Sequence, residues 1–362
     1  MTALSANPNT TLANVEVPWQ QSILQGTSAY YSELAVKGVL RPAWADFVGR
    51  LPATGLSDHL DSKLNALAKQ IRDNGITYNV YADHAQGTSR PWSLDLLPFI
   101  IDQADWAVLE KGIAQRARLL NSMMADVYGK RELLSKGLLP ADLVYGHSGY
   151  LPQMQGTEPP NKVWLHMVAF DLGRSPDGKW WVITHRMQAP SGLGYALENR
   201  LSISRSFTRG FREMHIQHLA GFYRDYIDGI RRLSPKGENA RIALLTPGPY
   251  NETYFEHTYL ARYLGISLVE GSDLTVRNNN VFLKTVNGLE PIDGLIRRTD
   301  DQWLDPLELR EDSQLGVPGL LQAIRTGGVV MANMPGSGWL ESPAIHGFMP
   351  GLGEHFLQED LL

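Results

Sequence analysis

Four clusters of charged and amide side chains follow apolar or glycine-rich segments of this 362-residue chain. Carboxylate and amide oxygens bind Mg²⁺ well, and arginines neutralise phosphoryl groups during transfer, so this mixture suits phosphoryl chemistry. Taken singly, each cluster is better explained by arginine–aspartate ion pairs or by a carboxylate at a helix N-terminus. Their common position at the ends of elements favours one shared cleft. The clusters are Asp171 with Arg174; Glu198, Asn199 and Arg200; Asn251, Glu252, Glu256 and His257; and Arg297, Arg298, Asp300 and Asp301.

A glycine loop precedes the second cluster. Residues 190–195 read PSGLGY, a run of small and flexible residues that lets backbone approach a ligand closely. Upstream, an Asp-Gly turn at 177–178 leads into KWWVIT at 179–184, whose composition predicts a strand. The order of strand, glycine loop, carboxylate, amide and guanidinium predicts an anion-binding or metal–phosphate site.

Motifs and composition exclude several common chemistries. The chain has no cysteine, which removes disulfides, thiolate zinc sites and thiol nucleophiles. It also lacks the GxSxG, HExxH and P-loop motifs of serine hydrolases, zinc proteases and P-loop nucleotide-binding proteins. His215 and His218 lie three residues apart in a segment of helical periodicity, but no third ligand lies nearby, so we interpret them as surface histidines.

Charge and hydropathy argue against two classes of partner. The 33 basic and 38 acidic residues give a formal charge of −5, which offers no bulk attraction to nucleic acid or acidic membranes. No apolar segment approaches the roughly 18 residues of a membrane span. Residues 1–20 lack the basic start and apolar centre of a signal peptide. We therefore predict a soluble, cytoplasmic protein of several domains.

Hydrophobic periodicity predicts a mainly helical N-terminal region. Residues 1–18 are polar and are predicted to be disordered. A helix is expected after Ser57, a candidate N-cap, and a short strand at 76–81. A longer helix begins near Asp102, with Asp105 placed as in a capping box.

Strands and helices alternate in the rest of the chain. Two strands at 163–170 and 179–184 form a predicted antiparallel pair. Residues 241–269 read as strand, tight loop, helix and strand, a βαβ unit whose ligand is expected beside the N-terminus of the helix. Because the loop is not GxGxxG, a dinucleotide fits it poorly. A hairpin is predicted at 273–285, turning at 277–280.

Three long motifs carry a resemblance to a known family. They are PSGLGYALENR from Pro190, LLTPGPYNETYFEHTYLARYLGISLVEGSDLTV from Leu244, and RRTDDQWLDPLELREDSQLGVPGLLQAIRTGGVV from Arg297. ITYNVYAD, RPWSLDLLPFII and QRARLLNSMMADVYG extend the match toward the N-terminus. From about residue 38 onward the chain resembles the circularly permuted ATP-grasp (type 2) proteins, relatives of glutathionylspermidine synthetase and eukaryotic-type glutathione synthetase.

The resemblance implies an α/β (α+β) fold. In it, a helical N-terminal region joins permuted ATP-grasp strands and a Rossmann-like pre-ATP-grasp domain, and the C-terminal ATP-grasp lobe is incomplete. The implied division is a disordered tail at 1–18, a helical region at 19–146, the ATP-grasp strands and helix at 147–236, a substrate domain at 237–334, and the start of a truncated C-terminal segment at 335–362.

The resemblance also implies ATP- and Mg²⁺-dependent ligation of an amino acid or peptide carboxylate to an amine through an acyl phosphate. Negative charge builds up on the transferring phosphoryl group, so such a site needs arginines and magnesium ligands. The expected partners are a small-molecule or peptide carboxylate and an amine, together with a partner protein or a C-terminal continuation of the same chain. The identity of the carboxylate and the amine stays open.

The family's functional residues can be placed on this sequence. The expected catalytic arginines are Arg174, facing the phosphate, and Arg200. The expected nucleotide-binding residues are Ser191, Gly192, Gly194 and Tyr195. The expected substrate-side residues are Asn251, Glu252, Tyr254, Glu256, His257, Arg297, Arg298, Asp300 and Asp301.

The sequence departs from the family pattern around the expected ATP site. Many relatives carry Glu-Asp-Asn just before Pro-Ser-Gly, with Glu and Asn as magnesium ligands. Positions 184–186 here read Thr-His-Arg, and Arg186 would repel a cation. At 336–343 the chain reads GSGWLESP, without the nucleotide-contacting lysine of many relatives. The glycine-rich loop that covers ATP is expected beyond Leu362.

Two functions follow from these departures. In the first, the chain is an ATP-grasp amide ligase or its N-terminal part, and Glu198 and Asn199 replace the missing metal ligands. In the second, it is a non-catalytic binding or partner module on a degenerate ATP-grasp scaffold. A hydrolase is disfavoured, because no nucleophile–base arrangement is visible.

Overall fold

The computed structural model describes residues 30–52, 56–78 and 90–362, which form helices and four small sheets. The tail predicted at 1–18 and most of the strand predicted at 76–81 lie outside these residues. The strands are β1 (Ala35–Val36), β2 (Val39–Leu40), β3 (Ala169–Arg174), β4 (Trp180–Arg186), β5 (Ile242–Leu245), β6 (Ser267–Val269), β7 (Leu274–Arg277), β8 (Asn280–Thr285), β9 (Gly288–Ile292), β10 (Gly294–Arg297) and β11 (Val330–Ala332). The α-helices are α1 (Pro42–Val48), α2 (Leu56–Asp73), α3 (Gln103–Val127), α4 (Glu132–Ser135), α5 (Asp142–Tyr145), α6 (Leu193–Ser206), α7 (Thr208–Glu213), α8 (Ala220–Leu233), α9 (Tyr254–Leu264), α10 (Leu320–Arg325) and α11 (Met349–Leu357). The combination of these α-helices and β-strands confirms the predicted α/β class.

The central sheet is parallel, with strand order β11–β10–β5–β6. Every residue of β5 and β10 is buried. A parallel strand covered on both faces needs a continuous apolar segment, which IALL and GLI supply. α9 crosses from β5 to the parallel strand β6, so the predicted βαβ unit is confirmed. The helix of this unit begins at Tyr254.

A separate antiparallel sheet contains β7, β8 and β9. The turn between β7 and β8 consists of Asn278 and Asn279, with φ of 49° and 61°. Two successive left-handed residues match the twist of a hairpin, and asparagine tolerates that conformation. The predicted hairpin is confirmed, with a shorter turn.

β3 and β4 form a two-stranded hairpin around the turn at Asp177 and Gly178, where Gly178 has φ of +87°. The prediction of a strand at 163–170 is wrong for most of its length, because β3 begins only at Ala169. The preceding backbone is bound by side chains instead of a neighbouring strand. Asn121 Oδ1 accepts from the N–H groups of residues 164 and 165, and Asn333 Oδ1 accepts from those of 166 and 167.

α3 is the longest helix of the described residues. Asp102 caps it and accepts a 2.8 Å hydrogen bond from Asp105 N, as the sequence predicts. Its buried face, which includes Leu119 and Met123, packs in a core shared with the parallel sheet and α11. None of the helices described in residues 30–52, 56–78 and 90–362 is long and apolar enough to cross a bilayer.

The segment that contains His215 and His218 is not one helix. α7 ends at Glu213, α8 begins at Ala220, and His215 has φ of +54°. The helical spacing inferred for the two histidines is therefore wrong. Both side chains are exposed, in agreement with their interpretation as surface residues.

Candidate functional site

The carboxyl edge of the parallel sheet gathers many of the predicted substrate-side residues. β5 and β10 pair in parallel and end at Leu245 and Arg297, so the residues that follow both strands lie at one edge. α9 begins nearby at Tyr254, and the glycine loop contacts this edge through Arg298. Open α/β sheets bind ligands at this edge, because helix N-termini and loops converge there.

The glycine loop is held by a carboxylate from α9. Glu256 is fully buried, and its side chain accepts hydrogen bonds from Gly192 N at 2.9 Å and Gly194 N at 3.2 Å. A Cβ at position 194 would lie 2.7 Å from Glu256 Cγ, so this close approach requires glycine. The carboxylate therefore sits at the N-terminus of α6, where the helix dipole favours negative charge.

Arg298 contacts the same loop from the strand side. Its side chain is 3% exposed, Nη2 lies 3.8 Å from Glu256 Oε1, and Nη1 donates to the carbonyl oxygen of Pro190. Because a buried charge without a counter-charge is strongly destabilising, Glu256 and Arg298 stabilise each other. The backbone N–H groups predicted to hold a nucleotide thus already bind a side chain of this protein. We name Pro190, Gly192, Gly194, Glu256 and Arg298 the loop cluster.

Arg297 forms a second buried ion pair at the same edge. Its Nε donates to the carbonyl oxygen of Asn333 at 2.9 Å, and Nη2 lies 2.8 Å from Asp301 Oδ1. Asp301 Oδ2 accepts from Gly336 N at 3.0 Å. Burial raises the pKa of Asp301, while the charge of Arg297 opposes this shift. These contacts link the end of β10 to the segment that follows β11.

His257 is buried beside the loop cluster. Its Nδ1 lies 2.9 Å from Thr246 Oγ1, and its Nε2 lies 3.2 Å from Thr253 Oγ1. Burial, assisted by the charge of Arg298, lowers the pKa of His257 from 6.5 to about 3. The imidazole is therefore neutral at physiological pH. Asn251 Oδ1 accepts from Thr253 N at 2.9 Å and orders the start of α9.

The remaining substrate-side residues lie at the rim of this edge. Glu252 and Asp300 are exposed, and Tyr254 is half-buried with its ring 6.4 Å from that of His257. The structure thus brings together, at one edge, Glu256, His257, Arg297, Arg298 and Asp301, with Asn251, Glu252, Tyr254 and Asp300 around them.

Arg174 lies away from this group. It ends β3 at the turn of the hairpin, six residues or about 20 Å from the end that leads to the glycine loop. Its guanidinium pairs with Glu33 at 3.0 Å and Asp105 at 2.8 Å, and it lies 4.0 Å from the ring centre of Tyr31. These contacts join the hairpin to the segment before β1 and to α3, and they correct the expectation that all four polar clusters share one cleft.

Arg200 and Tyr195 also point to other parts of the molecule. Arg200 Nη1 donates to the carbonyl oxygen of Gln217 at 2.8 Å. Tyr195 donates to the carbonyl oxygen of Thr77 at 2.6 Å, and its ring stacks on Trp92 at 4.3 Å. Ser191 is exposed on the loop itself. Of the expected nucleotide-binding residues, only Gly192 and Gly194 belong to the loop cluster.

Glu198 and Asn199 do not converge on a common position. Glu198 is buried and accepts from Tyr259 Oη at 2.8 Å and from Ser202 Oγ at 3.2 Å. Asn199 Oδ1 accepts from Trp92 Nε1 at 2.9 Å. Successive residues of a helix point about 100° apart, which separates the two side chains. The geometry does not arrange them as a pair of metal ligands.

The described residues do not fit Mg²⁺–ATP at the expected position. Asp171 on β3 accepts from Thr184 and lies 2.5 Å from Arg186 Nη2, so two residues at the expected ligand positions bind a carboxylate. The hydrogen bond from Arg186, followed by that from Thr184, lowers the pKa of Asp171. Within residues 30–52, 56–78 and 90–362, no group of three histidine, aspartate or glutamate side chains could hold a metal ion.

Sequence reasoning missed Asn333 and Glu341. Asn333 follows β11 and donates from Nδ2 to the carbonyl oxygens of Met167 and Met187, each at 2.6 Å. Glu341 accepts from the N–H groups of Met187 at 2.6 Å and Gln188 at 2.7 Å. Asn333 could have been found by the rule that located Arg298, because both follow a buried parallel strand. We find no local signal for Glu341.

Comparisons with known proteins relate this chain to one family. The model of a family described as circularly permuted ATP-grasp type 2 matches residues 98–362. The uncharacterized protein sll0335 of Synechocystis sp. is 37% identical over 92% of this chain and 69% of its own length. The uncharacterized proteins Rv2567 and Rv2411c of Mycobacterium tuberculosis are 38% and 35% identical over 93% and 89% of this chain.

The chain spans only part of these relatives, 39% of Rv2567 and 58% of Rv2411c. Among solved structures, the apo form of a glutathione synthetase-like effector (GSS30) from Globodera pallida aligns with a TM-score of 0.48 and 13% identity. That alignment covers 83% of this chain and 68% of the effector.

Proposed function

Since the chain belongs to the circularly permuted ATP-grasp type 2 family, we propose that it takes part in ATP-dependent ligation of an amino acid or peptide carboxylate to an amine through an acyl phosphate. The family suggests an ATP-dependent ligase, and the carboxylate and amine are our extension. One observation carries the proposal. The matched residues contain a charged cluster at the carboxyl edge of a parallel sheet, where α/β proteins bind ligands.

In this proposal the edge of the sheet is the substrate side, within a domain at 237–334. Arg298 and Glu256 act as positioning residues that fix the glycine loop, since both are buried and bind its backbone. The exposed carboxylates Glu252 and Asp300 would attract the amine in its ammonium form. The neutral His257, whose Nε2 lies 3.2 Å from Thr253 Oγ1, helps to order the start of α9.

ATP would supply the phosphoryl group that activates the carboxylate, with Mg²⁺ as its counter-ion. Because the described residues do not fit these groups at the expected strand, we assign no step to them. A site for ATP and Mg²⁺ would be sought in the segments of the longer relatives that this chain does not span.

A second candidate function is a non-catalytic binding module. The observation that favours it is the Asp171–Arg186 ion pair, which places a cation where relatives are expected to carry a metal ligand. In that case the sheet edge would bind a carboxylate or amine ligand without turnover.

The test combines the full chain with Mg²⁺–ATP, hydroxylamine and each common amino acid in turn. An acyl phosphate reacts with hydroxylamine, so we expect an ATP-dependent hydroxamate with release of ADP. When hydroxylamine is replaced by an amine that is protonated at the assay pH, Glu252→Gln combined with Asp300→Asn should reduce the rate of ADP release about 10-fold, as expected for loss of two attracting charges. Glu238→Gln, at an exposed site outside the edge, is the matched control.

Calorimetry with Mg²⁺–ATP separates the two functions. Binding of nucleotide with hydroxamate formation supports the ligase. Absence of both, with an amino acid still bound at the sheet edge, supports the binding module. Absence of nucleotide, hydroxamate and amino acid binding contradicts both.

A further inference from the structure

A cavity of about 240 Å³ lies at the C-terminal end of α6, between α1, α2 and the start of α7. α6 has 14 residues and is therefore about 21 Å long, so this cavity and the loop cluster lie at opposite ends of one helix. Its lining includes five basic side chains, Arg50, His59, Lys63, Arg205 and Arg209. We name it the basic cavity.

The nearby acidic side chains balance only part of this charge. Arg50 lies 3.3 Å from Glu213 and also pairs with Asp46, and Arg209 lies 3.0 Å from the same Glu213. One carboxylate is therefore shared by two arginines, and neither acidic residue is among the residues that line the cavity.

The other basic residues have no acidic partner in the described part of the chain. Lys63 donates to the carbonyl oxygen of Ser206, and its Nζ lies 5.4 Å from the ring centre of Phe207. The side chains of Arg205 and His59 form neither a hydrogen bond nor an ion pair with any residue in the described ranges. Two cations and an imidazole are thus directed to one concave surface without a counter-charge.

We propose that the basic cavity binds a small ligand through an oxyanion, either a carboxylate or a phosphate. Guanidinium groups bind planar and tetrahedral oxyanions through paired N–H donors, and a lysine adds a point charge. The cavity is smaller than the 300–1,000 Å³ typical of drug-sized ligands, so it suits a small anion better than a nucleotide. The buried rings of Phe47 and Phe207 line one wall and strengthen the local field.

This charge is a local feature and not part of a generally basic surface. The whole chain carries a formal charge of −5, so a concave group of unpaired cations stands out against its surroundings. The site is also independent of the proposed ligase, because it contains none of the residues at the sheet edge.

The test is titration calorimetry of the full chain with inorganic phosphate and, separately, with succinate, in low salt without ATP or Mg²⁺. We expect saturable binding of at least one anion at one site per chain. Phosphate alone, succinate alone or both would support the proposal and identify the ligand class. No saturable binding of either anion would overturn it.

Two variants assign the binding to the basic cavity. Arg205→Gln and Lys63→Met should each weaken the affinity about 10-fold, because each removes a charged donor. Arg205 is exposed, so its replacement should fold normally, as thermal unfolding would verify. Arg224→Gln replaces an exposed arginine on α8, outside the cavity, and should bind like the unmodified protein. Unchanged binding in both cavity variants, or an equal loss in Arg224→Gln, would contradict the proposal.

Discussion

The charged side chains at the two ends of α6 differ in their burial and in their partners. At its N-terminus, Glu256 and Arg298 are buried and bind each other and the glycine loop. At its C-terminal end, Arg205 and Lys63 line a half-open cavity without a carboxylate partner. Burial explains the difference, because a desolvated charge needs a counter-charge from its own chain and a solvated one does not. Charges at the first end are therefore committed to the fold, whereas those at the second are available to a ligand.

Glu256→Ala should disrupt the buried contacts at the N-terminal end of α6 and give the largest loss of stability. It leaves Arg298 buried without a counter-charge and removes the acceptor for Gly192 and Gly194, so we expect a loss of about 3–5 kcal/mol in the free energy of unfolding. Urea denaturation measures it. Glu252→Ala, at an exposed position just before the same helix, should change stability by less than about 0.5 kcal/mol. Equal losses in the two variants would show that burial does not set the cost.

His257 should make this end sensitive to acid. Its pKa is about 3 in the folded protein and ordinarily 6.5, so between these values the unfolded chain binds a proton that the folded protein does not. Its contribution to stability is complete above pH 6.5 and is lost as the pH falls toward 3, with a slope of up to about 1.4 kcal/mol per pH unit.

His257→Gln should flatten that slope in denaturation curves measured between pH 6.5 and 4. The half-buried His166 and the buried His185, whose pKa values desolvation lowers to about 4, leave a residual slope of the same sign. His215→Asn, at an exposed left-handed position that asparagine tolerates, is the control. An unchanged slope in His257→Gln would contradict the assignment.

Glu198 lies between the two ends, and its replacement should have an intermediate effect. Glu198→Gln removes the charge that accepts the Tyr259 hydroxyl, so we expect a loss of about 1 kcal/mol. Tyr259→Phe should cost a similar amount, and the double variant should lose less than the sum, because both act on one contact. If denaturation experiments showed that the two stability losses add fully in the double variant, the contact between Glu198 and Tyr259 would contribute nothing to stability.

Arg205→Gln should have the smallest effect on folding. The side chain is exposed and forms no hydrogen bond or ion pair with the described residues, so its removal should change the free energy of unfolding by less than about 0.5 kcal/mol. A destabilisation as large as that of Glu198→Gln would show that Arg205 at the C-terminal end of α6 also stabilises the fold. It would contradict the difference between the two ends of the helix, on which the proposal for the basic cavity depends.

The sheet edge could be predicted because its cause is local. Buried parallel strands read as short apolar segments, and the polar residue after each one lies at the shared edge. This rule located Arg298 after β10 and His257 on the crossover helix. It applies equally to Asn333 after β11, which was missed only because its segment carries no charge.

The rest could not be predicted, because it depends on partners far away in the sequence. Tyr259, which binds Glu198, is 61 residues away, and Trp92, which binds Asn199, is 107 residues from it. The basic cavity likewise depends on Lys63 and Ser206, which are 143 residues apart. Residue type and spacing predict metal ligands at 198 and 199 as readily as buried hydrogen bonds, and only tertiary packing distinguishes the two.

The two asparagines that bind residues 164–167 have a consequence for amide hydrogen exchange. The four successive N–H groups donate to Asn121 Oδ1 and Asn333 Oδ1 at 2.6–3.1 Å, although they belong to no helix or strand. Exchange requires these bonds to open, and Asn333 is buried among partners that open only with the surrounding core. This irregular segment should therefore retain its protons about as long as the flanking strands do, and slow exchange here would mark the joint between the hairpin and the parallel sheet.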